Sequence, residues 1–355
     1  MLVIFLREVL ILDNLSLPLL WVVLAGLAAI ILISATQLTK NADIIAFKTG
    51  LGRSFVGVVL LATATSLPEL ATGVSSVLSI GGSGGADLAA GDAFGSNLFN
   101  LLIIGLLDLM WRKGPILNSL GSAPAVVGVL SIIVISIGGL GILIHGNLNL
   151  ATSWPVSPVS IVLIVVFLAA LFAIFKEEQD SDTHQEQNIY ASASLTRATF
   201  VYLTSALIVV VAAYFLAHTG DSLADEMGWE KSFMGTQFLA LSTSLPELAA
   251  SIAAIRIMAP ELAISNLLGS NLFNMGFVLF LDDVAYTDGP LWGVVSPVHS
   301  ITAVIAILMT TVVLVPVISK ARVSLGRIVT LECVVLLALY AVSSVLVFSI
   351  GSSAH

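Results

Sequence analysis

Long apolar stretches alternate with short polar segments along the whole chain of 355 residues. A run of about 20 apolar residues is long enough to cross the hydrocarbon core of a bilayer as a helix. We therefore predict ten transmembrane helices, five on each side of the hydrophilic segment 176–197. Their predicted ranges are residues 17–38, 52–80, 87–110, 122–144, 158–175, 198–217, 232–257, 261–282, 296–318 and 328–350.

The composition supports a membrane location. Hydrophobic residues make up 58% of the chain and charged residues only 10%, with a mean hydropathy of +1.07, whereas soluble globular proteins carry about 25% charged residues. This excludes a water-soluble globule and predicts an all-α polytopic membrane protein surrounded by lipid. The net charge of −9 says little about partners, because five acids lie in the solvated segment 176–197. A single cysteine, Cys333, provides neither a disulfide framework nor a thiolate metal site.

The basic residues predict the orientation, since short cytoplasmic loops carry an excess of lysine and arginine. Eleven of them fall in loops or helix ends on one side of the membrane, and only Arg7 and Lys231 fall on the other. We therefore expect both termini outside and segment 176–197 in the cytoplasm. No cleavage site for a signal peptide precedes the first span, so we expect none to be removed.

The sequence Thr-Ser-Leu-Pro-Glu-Leu occurs twice, at 65–70 and 243–248, and Gly-Ser-Asn-Leu-Phe-Asn follows each copy, at 95–100 and 269–274. Because each half has an odd number of predicted helices, the second half must enter the membrane from the opposite face. We therefore predict inverted repeats at 1–175 and 198–355, joined by the loop 176–197. Inverted repeats are common in secondary transporters, whose substrates bind near the bilayer midplane. The first copy is longer between its glutamate and final asparagine, and we expect its glycine-rich residues 81–85 to form a flexible connection.

The residues of the repeated motifs suit a cation. Pro68 and Pro246 lack an amide hydrogen and open the helix, which releases carbonyl groups that a cation can satisfy. In each copy the threonine and serine lie four and three residues before the glutamate, so these side chains share one helix face. The serine and final asparagine of each Gly-Ser-Asn motif are also four residues apart. Such an all-oxygen set is what hard cations such as calcium and sodium prefer.

Structural roles compete with this interpretation. Serine, threonine and asparagine in membrane helices often only join helices, proline often only kinks them, and Gly95 and Gly269 would let helices pack closely. The glutamates are different, since an ionised one at the midplane costs roughly 2.5–3.5 kcal/mol. Glu69 and Glu247 at matching repeat positions therefore indicate a functional site. Asp108 and Asp282 also match between the repeats, and we expect them at the membrane interface.

The paired motifs resemble the two alpha-repeats of the sodium/calcium exchanger family, within the calcium:cation antiporter superfamily, in its bacterial or archaeal type. The resemblance extends over the whole predicted topology. It implies that Glu69 and Glu247 are carboxylates shared by calcium and sodium, and that the first and sixth helices slide against the others to alternate access. It implies further ligands from the side chains of Thr65, Ser66, Ser96, Asn100, Thr243, Ser244, Ser270 and Asn274, and from the main-chain carbonyls of Ala62 and Ala240.

Three positions depart from the family pattern. Ala64 and Ser242 stand where a glycine often precedes the motif, which stiffens the approach to the break. Asp92 stands where the family usually has asparagine, as Asn266 does in the second copy. Asp92 is either an accessory acid on the ion path, since it shares a helix face with Ser96, or a carboxylate that the dipole of a nearby helix N-terminus stabilises.

The predicted function is a secondary active antiporter that exchanges calcium for sodium, as a monomer in the cytoplasmic membrane of a prokaryote. A proton-coupled calcium exchanger is the main alternative, because glutamates beside hydroxyls can still titrate. A cation channel is a second, although it would not need two inverted copies. We expect no enzyme, because the sequence shows no catalytic constellation. We also expect no cofactor, no nucleic-acid partner and, since there is no phosphate-binding glycine loop, no use of ATP.

Overall fold

The computed structural model describes residues 15–49, 64–111, 113–147, 154, 156–180, 193–256, 258–320 and 330–351. Regular secondary structure within these ranges is helical, and they contain no β-strand. The predicted all-α class is thereby confirmed.

The helices of the first half are α1 (Leu17–Thr49), α2 (Leu67–Ser75, extended by a π-helical turn Ser76–Ile80), α3 (Gly82–Met110), α4 (Ala123–Asn147) and α5 (Pro158–Asp180). The helices of the second half are α6 (Leu195–Met227), α7 (Lys231–Thr243), α8 (Leu245–Arg256), α9 (Pro260–Ala285), α10 (Val298–Ser319) and α11 (Leu331–Gly351). Short 3-10 turns at Leu117–Ser119 and Leu291–Gly293 precede α4 and α10.

Seven described helices are long and apolar enough to cross a membrane, namely α1, α3, α4, α6, α9, α10 and α11. The helices α7 and α8 form an eighth span if they are counted as one broken helix with a bend of 42°. Two shorter apolar helices, Leu67–Ile80 and Pro158–Ile174, fall within two more of the predicted segments. The predicted span 52–80 is described only from residue 64.

The chain breaks at the same place in both copies of the repeated motif. Ser244 interrupts α7 and α8 with φ −88° and ψ 7°, and Ser66 precedes α2 with φ −96° and ψ 9°. Pro68 and Pro246 then occupy the first turn of α2 and α8, where a missing amide hydrogen has no helical partner to lose. The breaks predicted from the two prolines are therefore present.

Helices α3 and α9 form the centre of the molecule. In their most apolar windows 78% and 67% of the residues are buried, against 28% in α1 and 33% in α6. Helix α3 contacts α2, α7, α9, α10 and α11, whereas α1 and α6 pack along each other. The motif Gly-Ser-Asn-Leu-Phe-Asn thus lies on the two central helices.

The first of the two motif glycines lies at a close helix crossing. A β-carbon on Gly95 would lie 2.4 Å from the carbonyl oxygen of Thr236, so this glycine permits the close crossing of α3 and α7. The expected role in close packing is confirmed for Gly95. A β-carbon on Gly269 would meet no described atom within 4 Å, but the residues that correspond to Thr236 in the first half lie outside the described ranges, so the role of Gly269 stays a prediction.

The glycine-rich residues 81–85 form a tight turn and not the flexible connection that we expected. Gly81 and Gly82 adopt the left-handed φ values of 69° and 59°, which glycine tolerates best. Helix α3 already begins at Gly82, and a β-carbon on Gly85 would lie 2.3 Å from the carbonyl oxygen of Ser76. The extra residues therefore turn the chain directly from α2 into α3.

A π-helical turn at Asn274–Val278 shifts the register of α9 relative to α3. Asp108 accepts a hydrogen bond from the amide of Ile116, eight residues ahead, at 2.9 Å. In α9 the same bond, from Leu291 at 2.7 Å, goes to Asp283, because the π turn adds one residue. Asp283, and not Asp282, therefore makes the contact that corresponds to that of Asp108. Asp108 and Asp282 are both buried within the protein, and their expected position at the membrane interface stays a prediction.

We predict that Gly95→Ala destabilises the protein by roughly 1–3 kcal/mol, the usual cost of overpacking, because its methyl group would force α3 away from α7. Gly26→Ala is the control, since Gly26 is exposed on α1 and a β-carbon there would meet no described atom within 4 Å, so it should not destabilise the protein. Thermal unfolding of the purified variants in detergent measures both. A Gly95→Ala variant as stable as the control would contradict the close crossing at Gly95.

Candidate cation-binding site

Two buried glutamates lie at the centre of the site. Glu69 and Glu247 each occupy the first turn of the helix that follows a break, α2 and α8, and neither is exposed. The N-terminus of a helix favours negative charge, so each break provides a partial compensation for burying its carboxylate. The two carboxylates are close enough for the charge of Glu69 to act on Glu247.

Each glutamate receives a hydrogen bond from the opposite copy of the motif. The hydroxyl of Ser244 donates to Oε1 of Glu69 at 3.1 Å. In the reciprocal contact, the side chain of Thr65 donates to Glu247. The two copies, which are far apart in sequence, therefore form one site.

The serine of each Gly-Ser-Asn motif completes the contacts of its own glutamate. Ser270 on α9 donates to Oε1 of Glu247 at 3.4 Å, and Ser96 on α3 hydrogen-bonds Glu69. The hydroxyl of Ser96 also lies 3.4 Å from that of Thr243. Every hydroxyl predicted for the site thus lies within the buried centre of the molecule.

Asp92 belongs to the same cluster. Its Oδ1 accepts a hydrogen bond from the hydroxyl of Thr243 at 2.8 Å, and its charge acts on Glu69. Asp92 is the eleventh residue of α3, which begins at Gly82, and the effect of the helix dipole falls off within the first turn. The geometry therefore favours the accessory acid over the carboxylate at a helix N-terminus.

A set of asparagines joins α3 to α9 at the site. The side-chain nitrogen of Asn100 donates to Oδ1 of Asn271 at 3.0 Å, and that of Asn274 donates to Oδ1 of Asn97 at 3.5 Å. Asn271 also donates to the carbonyl oxygen of Asn97 at 3.3 Å. Asn97 and Asn271 are not among the predicted site residues, although the asparagine of each Gly-Ser-Asn motif marks them in the sequence.

Several oxygens of the site are buried and have no hydrogen-bond partner within the described ranges. They are Oγ of Ser66, Oε2 of Glu69, Oδ2 of Asp92, Oδ1 of Asn100, Oε2 of Glu247 and Oδ1 of Asn274. An unsatisfied buried polar group costs about 1–3 kcal/mol. Oxygen donors of this kind are the ligands of hard cations, so the site has the chemistry to hold one.

The structure brings together the predicted side chains of the site from both halves of the chain, and all of them are buried. Of the two predicted main-chain ligands, Ala62 lies outside the described residues. The carbonyl of Ala240 accepts the amide of Ser244 at 3.0 Å, within the last turn of α7. That these groups coordinate ions stays a prediction.

Buried polar helices of this kind define a polytopic transmembrane protein with an oxygen-lined central site. The model of the family described as sodium/calcium exchanger protein matches residues 19–192 and 197–349. The chain therefore belongs to the sodium/calcium exchanger family.

Relatives and solved structures agree with this family. The inner membrane protein YrbG of Escherichia coli (strain K12) is 28% identical over 276 residues, which cover 71% of this chain and 75% of that protein. A structure of the sodium-calcium exchanger NCX_Mj has a TM-score of 0.59 at 18% identity and covers 92% of this chain and 98% of its own. A structure of the H+/Ca2+ exchanger CAX has a TM-score of 0.64 at 11% identity, with coverages of 94% and 87%. Both structures share the fold of this chain.

We predict that Asn271→Ala weakens cation binding about 10- to 100-fold, the usual effect of losing a partner that orients a ligand, because Asn100 loses its acceptor. Asn41→Ala is the control, since Asn41 donates to the carbonyl of Gln37 in its own helix and to no other described residue. Equilibrium binding of radioactive calcium to the purified variants tests this. Binding that stays unchanged in Asn271→Ala would show that the asparagine bridge does not position Asn100.

Proposed function

We propose that this protein is a calcium antiporter that works by alternating access, with sodium as the coupling ion. The observation that carries this proposal is the reciprocal arrangement of Glu69 and Glu247, each buried and each hydrogen-bonded by a hydroxyl from the opposite motif. Intramembrane carboxylates without a basic partner are expensive and mark ion pathways. Membership of the family supports the same conclusion.

The proposed topology is ten transmembrane helices in two inverted repeats, 1–175 and 198–355, around the cytoplasmic loop 176–197. Three findings support it. Helices occur in all ten predicted segments, as far as they are described; Ser66 and Ser244 break the chain with nearly the same backbone angles; and the family model matches twice, on either side of residues 193–196. The packing of α1 and α6 along each other suits a pair of helices that slides against a central bundle.

The proposed location is the cytoplasmic membrane of a prokaryote, with both termini outside. The relative from Escherichia coli is an inner membrane protein by name. The orientation rests on the excess of basic residues in the loops that we assign to the cytoplasm.

Charge balance explains how one site can support exchange. Glu69 and Glu247 provide two negative charges, which one calcium ion or two sodium ions neutralise. Without an ion, the two buried charges would remain uncompensated, and this penalises movement of the empty site across the membrane. Alternating occupancy by calcium and sodium is therefore coupled to the change of access.

The hydroxyls around the carboxylates favour sodium as the coupling ion. Ser66 has a buried oxygen with no hydrogen-bond partner among the described residues, which can coordinate sodium but cannot by itself carry the charge of a transported proton. Protons are the second candidate, since Oε2 of each glutamate has no hydrogen-bond partner there either and can be protonated. The fold does not separate the two, because NCX_Mj and CAX are both similar to this chain.

We predict that Glu69→Gln and Glu247→Gln each reduce calcium uptake into proteoliposomes to the background of empty vesicles, because either change halves the charge that neutralises calcium. Glu226→Gln is the matched control, since Glu226 is exposed at the end of α6 and should transport normally. Uptake in either site variant at the level of the unchanged protein would refute the site. Uptake against a calcium gradient separates an antiporter from a channel.

We predict that calcium uptake requires sodium inside the vesicles and that a pH gradient without sodium does not replace it. The measurement compares sodium-loaded vesicles with acid-loaded vesicles at equal osmolarity. Equal uptake under both conditions would favour proton coupling and exclude obligatory sodium exchange. If more than two sodium ions leave the vesicle for each calcium ion that enters, net positive charge moves outwards. A membrane potential that is negative outside should then accelerate calcium uptake.

A further inference from the structure

Asp282 is a buried acid that the central site does not use. It lies on α9 with no exposed surface, and neither of its carboxyl oxygens has a hydrogen-bond partner in the part of the chain that the structure describes. Its neighbour Asp283 accepts bonds from the amides of Leu291 and Ser157, both at 2.7 Å, and holds the loop after α9 and the start of α5. Asp282 therefore has no structural role of that kind.

The carboxylate of Asp282 lies against α2, one helical turn after Glu69. A β-carbon on Gly73 would lie 2.6 Å from each carboxyl oxygen of Asp282, so only a glycine leaves room for this group. Glu69, Thr72 and Gly73 share one face of α2, since they are three and four residues apart. Thr72 is fully buried, and its hydroxyl also has no hydrogen-bond partner among the described residues.

Asp92 connects this region with the central site. The charge of Asp282 and the charge of Glu69 both act on Asp92, and Oδ2 of Asp92 is a further buried oxygen without a hydrogen-bond partner within the described ranges. Its other oxygen accepts the hydroxyl of Thr243, a residue of the central site. Glu69, Asp92 and Asp282 thus form a series of acids in which Asp92 interacts with both of the others.

Neither charge state of Asp282 is satisfied by the described residues. An ionised carboxylate in this position would be a buried charge with no counter-ion among them, and desolvation penalises such a charge. A protonated one would have an O–H group with no acceptor there, which also costs energy. A cation bound at Asp282 would satisfy its oxygens, and Thr72, next to Gly73 on α2, and Asp92, on which the charge of Asp282 acts, are the candidates to share that cation.

We propose that Asp282, with Thr72 and Asp92, forms a second cation site beside the central one, which binds a hard cation, either calcium or sodium. This inference rests on the proposed function for the supply of these ions. The site lies towards the end of α9 that the predicted orientation places outside the membrane, so it is a station between the central glutamates and the outer solution.

The repeat positions that correspond to Asp282, Gly73 and Asp92 hold other residues. After the π turn in α9, Leu107 is the counterpart of Asp282. Ser251 takes the motif position of Gly73, and Asn266 takes that of Asp92. The proposed station is therefore present on one side of the membrane only.

The test is equilibrium binding of radioactive calcium and, separately, radioactive sodium to the purified full-length protein. In the double variant Glu69→Gln/Glu247→Gln, which disables the central site, we expect one cation per molecule to remain bound. Adding Asp282→Asn should abolish this binding. Asp283→Asn is the control, since it should lower thermal stability through the loop contacts but leave the binding unchanged.

Comparison of radioactive calcium with radioactive sodium identifies the bound ion. A second variant distinguishes loss of the site from misfolding. Gly73→Ala should also abolish the binding, because its methyl group would displace the carboxylate, and thermal unfolding shows whether each variant is folded. Binding of neither ion by the folded double variant, or binding that is unaffected by Asp282→Asn, would overturn the second site. If the unaltered protein binds an ion through Asp282 but moves no calcium across vesicles, the proposed function fails and the second site stands.

Discussion

The central constraint on this fold is the burial of two carboxylates, Glu69 and Glu247, among apolar helices with no basic partner in the described ranges. Ion pairing is not the solution, since no salt bridge within the described ranges involves Glu69 or Glu247. Instead each glutamate begins a new helix, and a hydroxyl from the opposite half donates to it. Helix N-termini and hydroxyl dipoles compensate a negative charge only in part. The remaining demand is one that a bound cation would meet, as the proposed function requires.

This compensation explains why the repeated motif contains what it does. Pro68 and Pro246 fix where the new helix starts, and the residue two positions earlier, Ser66 or Ser244, takes the non-helical backbone angles of the break. The hydroxyl of Ser244 can then reach Glu69 across the molecule. One half alone would lack one of the two hydroxyl donors to its glutamate, so the site with all of these contacts forms only from both copies.

These features could be predicted from the sequence because they repeat in it. Hydropathy located the apolar helices, and the duplicated motif located the glutamates, hydroxyls and asparagines that the structure gathers. Features that depend on tertiary contacts could not be predicted. The close approach of Gly95 to the carbonyl of Thr236 depends on how α3 crosses α7. The π turn in α9, which has no counterpart in α3, moved the loop contact from Asp282 to Asp283. The match between the repeats therefore predicts which residues line the site, but not what each copy contacts.

The differences between the halves matter most for an exchanger. A symmetric site would present the same acids to both sides of the membrane, and only the ion gradients would distinguish the two directions. Asp92 and Asp282 place two acids on the side of the central site that the predicted orientation turns outwards, and their repeat counterparts Asn266 and Leu107 carry no charge. Each buried acid raises the cost of leaving its surroundings without a cation. The path from the central site to the outer solution would therefore be more acidic than the path to the cytoplasm.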